Sequence, residues 1–447
     1  MDENLNGIIG EYEGVESESS SKKLIFINKS DLRGGAAIVT YRLVETLRSL
    51  GHDARLLVCE KLSDADFVEV CAPKIKIKLS FLKERLKVYL RNGRNRATLF
   101  KIDPASDGLP LWNHHLVKSA DAICLAWINQ GMLSLKGVRR LCGLGKPVVW
   151  IMHDMWNMTG VCHHAGECTG YLHQCGDCPL LGIYGSRDDM SHRTWANKEF
   201  SYQSTHIKFV AVSTWLAGKA KSSPLMRDLS VTVIPNAFKI DEDNDNPGGE
   251  KESAGAIPPS PVKIIFGGAR LDDPIKGLPI LKKALTYISD RNPAIARDLE
   301  LVTFGEFKQP ESAEGFAIRH THLGVIHGQE ALREAYSQCG IVVSTSDYET
   351  LPGTLVEGQA YGCIPVATNH GGQGDIIDHK ITGWLASWHD SPTIRAEEVA
   401  EGIIWAYGKI HSPEYASMRE SMRESVRKKF DAPEVARQIL ALAFGQR

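Results

Sequence analysis

Two series of short apolar runs, each run followed by a helix-length stretch, constrain this chain more than any other feature of its sequence. The first series opens with "KKLIFINKSDLRGGAAIVTYRLVETLRSLGHDARLLVCE". It reads as a buried strand at 24–27, a glycine loop, a helix, and a second strand near 56–58. Ile38, Tyr41, Leu43, Val44 and Leu47 give that helix one apolar stripe. "DAICLAW", "PVVWIMHD", "KFVAVST" and "VTVIP" continue the series. The second consists of "VKIIFGG", "LELVTFG", "HTHLGVI", "GIVVSTS", "CIPVATN" and "ITGWLAS". Buried strands alternating with helices predict parallel sheets covered on both faces. Residues 241–261, acidic and rich in Pro and Gly, separate the two series and read as a linker. The expectation is two doubly wound α/β domains, 22–240 and 262–428, with ligands in the cleft at the carboxyl ends of their strands. Residues 1–21, acidic, Ser-rich and poor in large apolar side chains, are expected to be disordered.

Composition excludes several other classes. A net charge of −2 on 447 residues gives no general attraction to nucleic acid. No apolar run reaches the roughly 18 residues that a membrane span needs. The N-terminus lacks a charged segment leading into an apolar one, and ten cysteines fall far below a disulfide scaffold. A cytoplasmic protein is expected.

Three strand-end loops carry the candidate chemistry. Gly34 and Gly35 in "SDLRGGAAI" stand at a strand-to-helix turn, where backbone N–H groups can approach a phosphate. The loop is not the G-x-G-x-x-G fingerprint, which argues against a nicotinamide enzyme. In "GGARLDDPIKGL", Arg270 and Lys276 can both reach a diphosphate, the arginine by paired hydrogen bonds and the lysine as a point charge. "SDYETLPGTLVEGQAYGCIPVAT" puts Glu349 on a loop and Glu357 within the first turns of a helix that begins near Gly353, with Thr354 near its cap. A sugar nucleotide needs acceptors for sugar hydroxyls, acceptors for ribose hydroxyls, and positive charge between them. Glu349, Glu357 and the helix N-terminus with Arg270 and Lys276 supply these in that order.

The stretch "YETLPGTLVEGQAYGCIPVATNHGGQGDII" resembles the E-x7-E signature of retaining GT-B glycosyltransferases of family 4. Gly362, Pro365, Val366, Gly371 and Gly372 stand where that family has its helix end, next strand and glycine turn. "LAWINQGMLSLKGVRRLCGLGKPVVWIMHDMWNMTGVCHH" is similar to the N-terminal domain of the branch that builds colanic acid and other exopolysaccharides. The resemblance implies a GT-B fold, two Rossmann-like domains with parallel sheets facing across a cleft, and a final segment (429–447) that returns to brace the first domain. It implies transfer of a sugar from a nucleotide-sugar donor, UDP- or GDP-type, to a saccharide or lipid-linked saccharide, with retention of configuration and no catalytic metal. His153 matches the histidine that faces the donor sugar, and Asp154 beside it would hold the loop. Catalysis is then expected from His153, Lys276, Arg270 and Glu349. Two alternatives share the same cleft: a GT-B sugar-nucleotide epimerase, and a sugar-nucleotide-binding protein without transfer activity.

Two further segments stand outside that scheme. "CHHAGECTGYLHQCGDC" places Cys162, Cys168, Cys175 and Cys178 within seventeen residues, with His163, His164 and His173 as rival ligands. A structural zinc on the four thiolates is one reading, reduced or redox-active thiols the other. Residues 74–101 hold ten Lys/Arg against one acid, Glu84, with Leu79, Leu82, Leu86 and Leu90 at helical spacing. A basic amphipathic helix suits an anionic membrane surface. Its leucines could equally pack on the domain.

Overall fold

The computed structural model describes residues 21–240 and 260–445. The expected N-terminal tail and interdomain linker lie, but for residues at their ends, outside the described residues. The first series of apolar runs forms a seven-stranded sheet: β1 (Lys23–Ile27), β2 (Asp53–Val58), β3 (Val68–Val70), β4 (Ala122–Leu125), β5 (Val148–Met152), β6 (Ile207–Ala211) and β7 (Val231–Val233). Their order is β3-β2-β1-β4-β5-β6-β7, and every recorded pair is parallel. The second series forms β8 (Val262–Arg270), β9 (Leu299–Glu306), β10 (Arg319–His322), β11 (Ile341–Ser344), β12 (Ile364–Thr368) and β13 (Trp384–Ala386). Their order is β10-β9-β8-β11-β12-β13, again all parallel. In each sheet the strand order reverses beside the first strand, β1 or β8. That reversal opens a crevice at the carboxyl edge, where doubly wound sheets bind ligands.

Apolar runs of four or five residues make the central strands because both faces are covered, so no alternation with polar residues is required. β4, β5, β11 and β12 are buried at every position. Two expectations need adjustment, and one strand was not expected. The stripe of the first helix, α1 (Gly35–Ser49), runs through Ala37, Thr40, Leu43, Val44 and Leu47, while Ile38 is exposed. β10 stops before the expected "LGVI", where Gly324 at φ 71° turns the chain out of the sheet. The edge strand β3 has only three residues, too few to leave a periodic signal.

The chain crosses between the domains beside Phe238. Its N–H donates to the Phe430 carbonyl and its carbonyl accepts from Ala432, both at 2.9 Å. The helix Ala432–Phe444 that follows packs on α1 and β5, and Lys208 Nζ donates to the Leu442 carbonyl at 2.6 Å. No helix among the described residues is long and apolar enough to cross a membrane.

Candidate active site

The cleft edge of the second domain is assembled by close backbone approaches. A short turn, Pro274–Lys276, ends at Gly277, whose φ is 67°. A Cβ on Gly277 would lie 1.9 Å from the Thr345 carbonyl oxygen, so only glycine lets this turn sit against the end of β11. Lys276 is thereby carried to the loop after β11, where Nζ donates to Glu349 Oε1 at 2.5 Å. Ser346 Oγ donates to the same oxygen at 3.0 Å. Glu349 is held from behind by the glycine turn: Gly372 N–H donates to its carbonyl at 2.9 Å. A Cβ on Gly371 would be 2.0 Å from that carbonyl oxygen, so the turn cannot carry a side chain there.

Glu357 lies on the next helix, Gly353–Ala360. Pro352 precedes the helix, and Thr354, expected near the cap, sits one residue inside it; no side chain caps this end. Glu357 is largely covered at the cleft edge. Its side chain is 14% exposed, and Oε1 accepts from both terminal nitrogens of Arg42, on α1, at 3.1 Å. Burial pushes its carboxyl above the usual range, and Arg42 opposes that shift.

Of the expected site residues, Lys276 and Glu349 are brought together, and Arg270 is not joined to them. Arg270 Nε donates to Asp272 Oδ1 at 2.8 Å, among Asp272, Asp273 and Glu306 at the end of β8. Gly34 (φ 91°) and Gly35 are exposed at the start of α1, with open space where a Cβ would be.

The N-terminal domain closes on this edge. His153 follows β5, and its carbonyl accepts from Thr350 Oγ1, next to Glu349, at 3.0 Å. Its Nε2 is shut off from solvent and has no partner, and burial pulls the imidazole down to about 4, so the ring is neutral near pH 7. Asp154 turns the other way. It accepts from Trp127 Nε1 at 3.1 Å and from the Trp156 N–H at 2.8 Å, and contacts His163 Nδ1 at 2.8 Å. Burial would raise the Asp154 carboxyl, but His163, His164 and the Trp156 N–H together outweigh it and the group falls to about 2. Burial likewise works against His163, whose value Asp154 nevertheless raises. Both shifts favour the ionic form of the pair, and Trp127 stacks on His163 with centroids 5.3 Å apart. The neighbouring His164 meets Tyr348 edge-on at 5.3 Å and feels the charges of Glu349 and Lys276. Burial holds it below its usual value. Two more contacts span the cleft: Tyr348 Oη to Met155 Sδ at 2.8 Å, and Thr214 N–H to Asp375 Oδ2 at 2.6 Å.

Sequence reasoning passed over Arg42, Tyr348 and the site-facing side of His164. Beside cysteines His164 reads only as a metal ligand, and an arginine inside an amphipathic helix carries no local signal. The four loop cysteines are all free thiols. Cys175 Sγ accepts from the Gly160 N–H at 3.2 Å and Cys168 Sγ from the Gly170 N–H at 3.4 Å, contacts that suit thiolate ligands. A tetrahedral zinc would bring sulfurs to about 3.8 Å, given Zn–S bonds of ~2.3 Å. Among the described residues, no three ligand atoms of this loop lie within 4.8 Å of one another. The residue types suit zinc, and their present spacing does not.

The basic stretch forms the helix α2 (Lys74–Arg91). Glu84, Arg85 and Val88 face inward, and the leucines do not pack on the domain: Leu79 and Leu86 are 61% and 56% exposed, with Leu82 and Leu90 similar. Its single acid is thus turned away from an outer face of lysines and leucines.

Residues 261–406 match a family model described as glycosyl transferases group 1. The putative colanic acid biosynthesis glycosyl transferase WcaC of Escherichia coli K12 is 26% identical over 272 residues, 57% of this chain and 61% of that one. Glycogen synthase of Pseudomonas putida is 27% identical over 137 residues, 30% of this chain and 25% of that one. The chain thus spans between a quarter and three fifths of the length of these curated relatives. Among solved structures, WaaG, a glycosyltransferase involved in lipopolysaccharide biosynthesis, superposes with a TM-score of 0.61 at 14% identity, covering 95% of this chain and all of that one. Anabaena HepE in complex with UDP and glucose gives 0.56 at 15% identity, with coverage of 95% and 100%. The fold is GT-B: two Rossmann-like domains with parallel sheets.

Proposed function

We propose that this chain is a retaining glycosyltransferase that moves a sugar from a nucleotide donor to a saccharide acceptor in exopolysaccharide or lipopolysaccharide assembly. The observation that carries the reading is the Lys276–Glu349 pair beside Glu357 at one strand-end edge, within the segment matching the group 1 family model. Glu349 accepts from donor-sugar hydroxyls. Glu357 accepts from the ribose. The diphosphate lies between them, facing Lys276 and the helix N-termini at Gly34–Gly35 and Gly353–Thr354. Lys276 gains most as the glycosidic bond breaks and charge builds on the leaving phosphate. His153, neutral and with a buried unpaired nitrogen, offers a hydrogen-bonding partner to the sugar from the opposite domain. Relatives and structural neighbours support a donor of the UDP class, HepE having been solved with UDP and with UDP-glucose. They give no support to the epimerase or to a silent binding protein.

The acceptor in this reading is lipid-linked and is met at the cytoplasmic face of an anionic membrane, on which α2 docks. Zinc on Cys162, Cys168, Cys175 and Cys178 would be structural and would require this loop to draw its sulfurs together, bracing the segment that carries His163 and His164. Elemental analysis should find about one zinc per chain, lost in the Cys175→Ser/Cys178→Ser protein; metal-free protein with unchanged melting would leave the thiols without that role. Incubation with UDP- and GDP-sugars, with and without lipid-linked saccharide, tests the function. Acceptor-dependent product whose anomeric proton signal matches the donor's configuration is expected. Sugar isomerised without acceptor, or tight binding with no product, would overturn it.

A further inference from the structure

We propose that Arg42, a residue of the N-terminal domain, positions Glu357 for the nucleotide ribose, so that the ribose end of the donor site is complete only while the two domains are closed. This rests on the reading of Glu357 as the ribose acceptor. Arg42 and Glu357 are 315 residues apart in the chain, on helices flanking different sheets, yet their side chains are only 13% and 14% exposed. The guanidinium is fixed on several sides. Nη2 also donates to Gln329 Oε1 at 3.2 Å, and Gln329 is tied to the Tyr361 hydroxyl at 3.3 Å. Phe238, at the interdomain crossing, lies under the guanidinium at 5.8 Å. Both recorded Arg42–Glu357 bonds end on Oε1. In this proposal Oε2, which takes no recorded bond from Arg42, is the oxygen left for the ribose hydroxyls. The same helix that presents the Gly34–Gly35 N-terminus to the diphosphate therefore also sets the ribose acceptor.

Charge supports the geometry. The ionisable groups facing Glu357 are Arg42 from α1 and the buried Tyr336 hydroxyl from the helix Gln329–Ser337. Arg419 and Arg423, on the helix Tyr415–Phe430, act instead on Cys363, just past the end of the Glu357 helix. Burial raises the Glu357 carboxyl, and Arg42 is the largest influence opposing it. Protonation turns one carboxyl oxygen into a donor and weakens its acceptance from hydroxyls. Donor affinity should therefore fall as pH drops through the Glu357 value, and removing Arg42 should move that fall to higher pH.

The test is calorimetric titration of the full chain with UDP and with GDP from pH 5.5 to 8.5. Arg42→Met should bind the preferred nucleotide more weakly, by up to about tenfold toward the acidic end for one unit of carboxyl shift, and recover most of the loss as pH rises to 8.5. Arg42→Lys should lose less. If Arg42→Met does not fold, Arg42→Lys carries the same comparison across pH. Equal or tighter binding by Arg42→Met, beside a Glu357→Gln protein that binds weakly, would mean that the arginine merely occupies the ribose position. A loss that does not vary with pH would reduce Arg42 to a structural support. Both outcomes overturn the proposal while leaving the ribose reading intact. Glu357→Gln binding as tightly as wild type would remove the ribose reading, and this inference with it.

Discussion

The two walls of the cleft are built differently. On the second domain, Lys276, Ser346, Glu349 and the glycine turn come from neighbouring strand-end loops, and two close backbone approaches fix their geometry. On the first domain, Asp154 and His163 are held by buried charge, with Trp127 from the loop after β4 donating to Asp154 and stacked on His163. One wall is set by backbone shape and the other by electrostatics. A buried ion pair keeps its place only while both members are charged, whereas a glycine-built turn is insensitive to pH. The walls should therefore fail under different perturbations, and that contrast can be tested from its largest consequence downward.

The largest effect is expected at the first wall. Asp154→Asn removes one member of a pair whose side chains are 13% and 14% exposed. Breaking such pairs typically costs 3–5 kcal/mol; about 3 is expected here, because His163 can shed its proton. The pH dependence follows from the directions of shift. Asp154 is depressed from 3.8 to about 2, so its contribution is present above 3.8 and lost as pH falls toward 2. His163 is raised above 6.5, so its contribution is present below 6.5 and lost as pH climbs through its folded value. Urea unfolding should show wild type ahead of the mutant by most between those limits. A gap unchanged from pH 4 to 9 would mean that the pair is not ionic.

The second wall should answer in catalysis instead. Lys276→Ala is expected to lower kcat about 10²–10³-fold, the range for losing one donor aimed at developing charge. Stability should change little, since Lys276 is 28% exposed and its partner Glu349 can turn to solvent. Normal turnover in the mutant would take Lys276 out of the mechanism. Glu357→Ala comes next, at roughly 1–3 kcal/mol of donor affinity, the penalty for leaving hydroxyls unpaired in a buried site. Unchanged affinity in calorimetry would sink the ribose assignment.

How far the sequence revealed each wall follows from the same contrast. The carboxyl-edge loops after β8 and β11 could be read because a strand, a loop and a helix start occupy consecutive residues. Glu349 and Glu357 are therefore placed by local geometry alone. Nothing local marks Arg42, which acquires its role only when α1 meets a helix more than 300 residues away. His163 and His164 were legible as a dipeptide beside cysteines, a context that pointed to metal. In the structure they diverge, one toward Asp154 and the other toward Tyr348. The alternation of strands was plain because both sheets are parallel and buried, whereas the end of β10 turned on one glycine at positive φ.

The smallest effect per residue lies outside the cleft, on α2, where neither backbone shape nor a buried pair decides. Glu84 is turned into the domain with Arg85, which leaves Lys74, Lys76, Lys78 and Lys83 on the outside among exposed leucines. Lys83 and Lys87 are partly engaged by Asp107, at 3.1 and 2.5 Å, so they should attract lipid less than the lysines of the first turns. Each basic residue near an anionic surface contributes about 1 kcal/mol and is screened by salt, while the leucines add apolar burial that salt does not weaken. Cosedimentation with vesicles should therefore require anionic lipid and fall at high salt. It should fall further in Leu82→Ser/Leu86→Ser, with turnover on a soluble acceptor unchanged. A protein that binds neutral and anionic vesicles alike, or neither, would show that the exposed leucines of α2 serve some surface other than a charged membrane.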